Sequence, residues 1–268
     1  MTVTNVITPK PPTAPRPARA TRKSVSIPSE IIYPDSDGKP MADNTRQFDM
    51  IVMIQGGLAA LFAGRPDVFV AGDLLWYPVE GSNTIRAAPD AMVVFGRPPG
   101  YRGSYKQWEE DGLAPQVVFE VLSPGNTRPE MIRKRQFYER YGVEEYYEYD
   151  PDRGQLRGWL RRAERLEAIP EMAGWISPRL GIRFALDGMD LALYRPDGRR
   201  FETFVELDQC YEAERQRAEA ERQRAEMERQ RAEVERQRGR EEGFRQALER
   251  LIASGMAEQE ARRLLGLE

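Results

Sequence analysis

Apolar residues recur along this chain at two spacings. Phe48, Ile51, Val52, Leu58, Leu61 and Phe62 fall at helical intervals and predict a helix over roughly 44–63. Asn44 and Gln47 stand three apart at its start, the spacing of a capping box with Asn in place of Ser or Thr. Short apolar runs at 68–70, 74–76, 91–95 and 117–122 predict strands. Gly96 and Pro98-Pro99-Gly100 close the third run, and Ser123-Pro124-Gly125-Asn126 closes the fourth. Helical spacing returns with Ile132, Phe137, Tyr138 and Tyr141, predicting a helix of about 128–141 that Gly142 is placed to end. Further strands are predicted at 145–149, 156–160, 182–184 and 191–194. The order helix, strands, helix, strands implies an α/β (α+β) domain with a mixed sheet, occupying residues 30–210.

The pattern changes at both ends. Residues 1–29 hold six prolines, five basic residues, no acid and no apolar period, which predicts a disordered Pro-rich basic arm. Such an arm either touches nucleic acid or is a solvated leader. Residues 211–243 carry a seven-residue repeat, AERQRAE, that predicts one long charged helix. With Ala213, Ala220, Met227 and Val234 at position a, position d holds Gln216, Gln223, Gln230 and Gln237, a weak seam for a coiled coil. The helix is therefore either a solvated stalk or an oligomerising coil through which the chain forms a homo-oligomer. Leu248, Leu251, Ile252, Ala261, Leu264 and Leu265 around Ser254-Gly255 predict a small helical hairpin over 244–268.

Composition narrows the chemistry. Charged residues make up 31%, above the globular norm, and the excess sits in the repeat. Lys and Arg number 40 against 43 Asp and Glu, so the chain as a whole is not a polybasic nucleic-acid binder. The globular part alone has 22 basic and 29 acidic residues, a balance of −7. Histidine is absent, which excludes Ser-His-Asp and Cys-His catalysis and His-ligated zinc or haem. A single cysteine, Cys210, excludes a disulfide framework within the chain. A metal site would therefore be built from oxygens and suit Mg²⁺ or Mn²⁺. No apolar run reaches the length of a membrane span, and no apolar core follows the basic N-terminal residues as in a secretory signal, so the expected compartment is the cytoplasm.

One pair of acids stands out. In the 117–122 strand, alternation places Val118, Glu120 and Leu122 on one face and Val117, Phe119 and Val121 on the other. Glu120 is thus an acid in an otherwise buried run, and an unpaired buried carboxylate is costly. Asp90 opens the 91–95 strand. Two carboxylates on neighbouring strands make an oxygen-rich site for a hard divalent cation, which can activate water and stabilise charge on a phosphoryl oxygen. Structural readings stand beside this one. Asp90 can cap a loop, Glu120 can pair with Arg133 or Lys134, and Trp76, Trp108, Tyr138, Tyr146 and Tyr147 can be core or rim. Arg97 and Arg102, in a Gly/Pro-rich loop, either grip phosphate or are solvated.

The ordered set Pro89-Asp90, FEVLSPGNT from Phe119 to Thr127, Lys134 with Tyr138, and Gly142-Val143-Glu144-Glu145-Tyr146 through Tyr149-Asp150-Pro151 resembles the Uma-type family of restriction endonucleases in the PD-(D/E)XK nuclease superfamily. YPDSDGKPMADN (33–44), AGDLLWYP (71–78) and GRPPGYRGSYKQWEE (96–110) resemble a subgroup of it. The resemblance implies a restriction-endonuclease-like mixed central sheet flanked by helices, with a metal site at a sheet edge. It implies Asp90 and Glu120 as metal ligands, Asp73 as a further ligand, and DNA as substrate. The superfamily lysine two residues after the second acid is replaced here by Leu122, and Lys134 on the following helix matches the Uma-type pattern, with Glu130 four residues before it. Asp49 is the nearest candidate for an acid on the first helix. Two functions follow: an Mg²⁺-dependent endodeoxyribonuclease with Asp90, Glu120 and Lys134 as its catalytic set, or a catalytically inert nuclease-fold protein that assembles through its C-terminal helix.

Overall fold

The computed structural model describes residues 31–38 and 40–267, so the predicted basic arm lies outside the described residues. Helix α1 (Thr45–Leu61) leads into strands β1 (Val68–Ala71), β2 (Trp76–Tyr77), β3 (Ala91–Phe95), β4 (Tyr105–Lys106) and β5 (Val117–Val121). Helix α2 (Arg128–Tyr141) is followed by β6 (Glu145–Asp150), β7 (Gln155–Arg162), β8 (Arg165–Ala168), β9 (Arg183–Asp187) and β10 (Asp190–Tyr194). Helices α3 (Phe204–Ala253) and α4 (Glu258–Leu264) close the chain.

The central sheet has six strands in the order β1-β3-β5-β6-β7-β8. Its one parallel pair is β5 with β6, joined through α2, and the other pairings are antiparallel. The sheet is therefore mixed, as the sequence implies. Alternation along β5 divides the core in two. Val117, Phe119 and Val121 pack with Ile51, Ile54 and Leu58 of α1 and with Phe184, Leu191 and Leu193 of the β9–β10 hairpin. Val118 faces the opposite way, among Trp76, Tyr138, Tyr146 and Trp159. Trp76 stacks on Tyr138 at 6.3 Å and Tyr146 on Trp159 at 5.0 Å, large rings with little freedom to shift. Trp76, Tyr138, Tyr146 and Tyr147 are core residues.

Local chemistry sets the element ends. Asn44 caps α1 by accepting from the Gln47 N–H at 2.9 Å. Thr127 and Glu130 form a complete capping box on α2, and Gly142, at φ 101°, ends that helix in the left-handed conformation glycine adopts without strain. Gly57 lets α1 approach the Phe201 ring, since a Cβ there would meet the ring at 2.2 Å.

Three sequence expectations change. The run 74–76 pairs only at Trp76–Tyr77, because Asp73 turns the chain with φ 46° just before it. Strands β4 and β8 lack an apolar alternation and were not expected; β8 reads Arg165-Leu166-Glu167-Ala168 with one buried side chain. The charged helix starts earlier, at Phe204, on a second capping box of Thr203 and Glu206, and it runs unbroken to Ala253. The break at Ser254-Gly255 separates it from α4, so the first arm of the hairpin is the end of α3 itself. Among the described residues no helix is long and apolar enough to cross a membrane.

Candidate active site

The β3–β5 register aligns Ala91 with Phe119, which brings Asp90 beside Glu120 at the end of the two strands. One Asp90 carboxylate oxygen accepts from the Val121 N–H at 2.6 Å, so the acid is tied to the strand that carries its partner. Glu120 points to the α2 face and is 2% exposed. Helix α2 supplies both its partners from one side: Lys134 Nζ lies 2.7 Å from Oε2, and the Tyr138 hydroxyl donates to Oε1. Positions 134 and 138 are one turn apart, so a single helix face delivers both groups. A carboxylate offers about four acceptor sites, so Glu120 retains capacity for a further ligand.

The electrostatics follow from crowding. Burial, then the negative charge of Glu120, push the Asp90 carboxyl well above its usual range, against the opposing pull of Lys134. Burial opposes charge on Lys134, but Glu120 and Asp90 outweigh it and hold the ammonium up to about 12. Lys134 is therefore a cation at neutral pH. Burial and the Glu120 charge raise the Tyr138 hydroxyl well above its usual value, so it stays protonated and donates. Asp73 is raised by burial and then by Asp37. It adopts φ 46°, a conformation that Asp tolerates better than most residues, and its N–H donates to the Pro89 carbonyl at 3.0 Å.

Asp73, Asp90, Glu120 and Lys134 line one open cleft of about 720 Å³. Asp37, Asp43 and Glu130 add acidic groups to its wall, and Arg86 and Arg133 add basic ones. The donor set is all oxygen, and two acidic side chains held side by side favour a positive ion between them, so the chemistry fits a hard divalent cation. Among the described residues no three acidic or cysteine side chains are already gathered at ligand spacing. A cation would thus rely first on Asp90 and Glu120, with Asp73, backbone or water oxygens completing its shell.

Sequence reasoning missed Gln47. Its side chain is buried, its Nε2 donates to the Val121 carbonyl at 2.8 Å, and its Oε1 accepts from the Asp43 N–H at 2.8 Å. It occupies the first-helix position beside the site. Asp49 is exposed and does not line the cleft. A signal did exist: Gln47 lies in line with the buried Ile51, Ile54 and Leu58 at spacings of four, three and four, a polar residue on an apolar stripe. Glu148 was also missed. It pairs in register with Glu120 across β5–β6, is buried, and binds Arg157 at 3.1 Å and the Tyr146 hydroxyl at 3.1 Å. Arg97 and Arg102 are neither solvated nor free. They clasp Glu110 at 2.8 and 2.6 Å, and Arg97 also pairs with Asp111, which fixes the loop between β3 and β5.

The family model described as "Putative restriction endonuclease", Uma2, matches residues 52–187, a stretch that contains Asp73, Asp90, Glu120 and Lys134. A solved structure from Anabaena variabilis, titled a putative nuclease belonging to DUF820, is similar at 14% identity, covering 52% of this chain and 74% of that one with a TM-score of 0.39. No curated protein matches. On the extent of the family match, half the chain with Asp73, Asp90, Glu120 and Lys134 inside it, this protein belongs to the Uma2 family, whose members are described as putative restriction endonucleases.

Proposed function

We propose that the protein is a metal-dependent endonuclease that hydrolyses phosphodiester bonds of DNA. The observation that carries this reading is the pairing of Asp90 and Glu120 across β3 and β5, with Lys134 2.7 Å from Glu120 in the same cleft. Mg²⁺ or Mn²⁺ held by Asp90 and Glu120, with Asp73 as a further ligand, would supply charge stabilisation on the phosphate and lower the pKa of a water molecule. The chain's own residues do the rest. Lys134, a cation paired with Glu120, orients the attacking water and neutralises developing charge; an ammonium at about 12 is a poor base at neutral pH. Tyr138 fixes the Glu120 rotamer from beneath. Asp90 accepts from the Val121 N–H and Gln47 donates to the Val121 carbonyl, so the strand end keeps its position. Arg86 and Arg133 give the cleft wall positive charge for a phosphate backbone.

A second reading has its own support. Each Glu120 oxygen already has a protein partner, Lys134 or Tyr138, Leu122 replaces the in-strand lysine, and the globular part is acidic. A nuclease fold kept for binding, without turnover, is consistent with those features.

Calorimetric titration of Mg²⁺ and Mn²⁺ into wild type and Glu120→Ala, with plasmid cleavage on the same samples, separates the two. Metal-dependent nicking by wild type that disappears in the variant supports the endonuclease. Cation binding without nicking of any DNA, supercoiled, linear or single-stranded, supports the binding protein.

A further inference from the structure

Helix α3 spans fifty residues, about 75 Å at 1.5 Å per residue, and buries no side chain. A polar helix of that length needs many intrahelical pairs or a partner, since helices draw most of their stability from packing. Its intrahelical pairs are few. Among the described residues, one ion pair, Arg215–Glu212 at 3.4 Å, forms within 211–243. The pairs spaced four apart, such as Arg215 with Glu219 and Arg217 with Glu221, run Arg before Glu, the weaker orientation along a helix. Most of the charge on this helix is left for something beside it.

The charge follows the heptad. With Met227 and Val234 at position a, every position g from Glu212 to Glu233 is Glu, and every position e from Arg217 to Arg238 is Arg. In a parallel pair of such helices, g of one faces e of the next heptad on the other, so Glu219 meets Arg224 and Glu226 meets Arg231 of a second copy. In an antiparallel pair, g faces g and e faces e, and every contact is Glu with Glu or Arg with Arg. Met227 and Val234 are about half exposed on the seam, ready to be covered. The Gln residues at d are too polar to drive association alone, but each offers both a donor and an acceptor to its counterpart across the seam.

We propose that the exposed a/d/e/g face of α3 is an interface for a second copy of this chain, docked parallel and in register, with orientation set by the Glu-g and Arg-e pattern. The partner is the same chain because the pattern is self-complementary in that arrangement. The proposal is independent of any nuclease activity. Its geometric result is that both sheet domains sit at the same end of the coil.

The test uses full-length protein and two charge variants. E219R/E226R/E233R makes both flanks basic, and R224E/R231E/R238E makes both acidic; all six positions are exposed. Wild type is expected to sediment at twice the 30.8 kDa chain mass in a concentration-dependent way. Each variant alone is expected to sediment as a monomer, and their equimolar mixture is expected to recover the dimer. Circular dichroism of each variant checks that the helix persists, and the mixture distinguishes lost pairing from lost folding. A spin label on Cys210, the only cysteine, reads orientation. A parallel dimer puts two labels within roughly two helix diameters, about 20–25 Å, whereas antiparallel pairing centred on the repeat puts them about 50 Å apart. A wild type that stays monomeric at sub-millimolar concentration, a mixture that fails to associate, or the long distance would each overturn the proposal.

Discussion

Two buried glutamates on adjacent strands show what distinguishes a candidate site from a structural acid. Glu145, on β6, is fully buried and faces the Tyr147 hydroxyl at 2.9 Å, the Arg179 N–H at 2.7 Å and the Ser177 hydroxyl. Among the described residues no lysine or arginine side chain bonds its carboxylate; the Arg179 guanidinium instead grips Glu144. Glu120, on β5, is as buried, but its partners include a lysine ammonium, and a second carboxylate, Asp90, stands beside it at the open end of the strands. Burial alone therefore does not mark function. Like charge gathered at a cleft, with a cation held against it, does so better.

The comparison can be broken or sharpened by measurement. The largest expected effect is on DNA cleavage. Several kcal/mol of charge stabilisation would be lost with the second ligand, so Glu120→Gln should lower metal-dependent nicking at least about a hundredfold. Glu145→Gln should leave it within a factor of about three, because distant sites act independently. Equal losses in both variants would erase the distinction. Next comes stability. Glu145→Ala removes the acceptor of two buried hydroxyls and one half-buried N–H and should cost about 3 kcal/mol in urea unfolding. Lys134→Ala should cost less, about 2 kcal/mol, because the lysine side chain is 28% exposed and water can reach the carboxylate it leaves. The same variant should also slow nicking. If it is stable and fully active, Lys134 belongs with the structural residues.

The smallest effect is a pH slope. Burial raises the Glu145 carboxyl above its usual 4.5, despite hydrogen bonds that oppose the shift. The native state then holds this proton more tightly than the unfolded chain. The stability this group contributes is complete below about 4.5 and declines as pH rises through the raised value. The stability difference between wild type and Glu145→Gln should follow that decline. A difference independent of pH would mean the carboxyl behaves as in the unfolded chain.

Much of this was legible in the sequence because the relevant signals are local. The alternation in 117–122 places Glu120 against the apolar grain of its strand, and Lys134 is one of the two cations the sequence offers it as a partner. The α2 boundaries follow from Thr127, Glu130 and Gly142, each a residue with a specific backbone task. Gln47 was not read because a glutamine near a helix start suggests a cap, and its bond to Val121 spans 74 residues. Glu148 looked like an ordinary strand acid until the β5–β6 register set it beside Glu120. Strand β8 was missed because an edge strand with one buried side chain has little apolar pattern to show. Arg97 and Arg102 read as phosphate-gripping or solvated because Glu110 and Asp111, which hold them, lie beyond the Gly/Pro run.

The bonds that frame the cleft are long in sequence. Asp43 meets Ser123 across 80 positions, Gln47 meets Val121 across 74, and Asp90 meets Val121 across 31. Each closes a large loop whose entropy must be overcome before the contact returns anything, and such contacts form late and slowly. The cleft is therefore a reporter of completed folding. A nascent chain that has not yet released Lys134 can pair its first strands and still have no site, which delays any chemistry in the cleft until at least half of the 268-residue polypeptide is made.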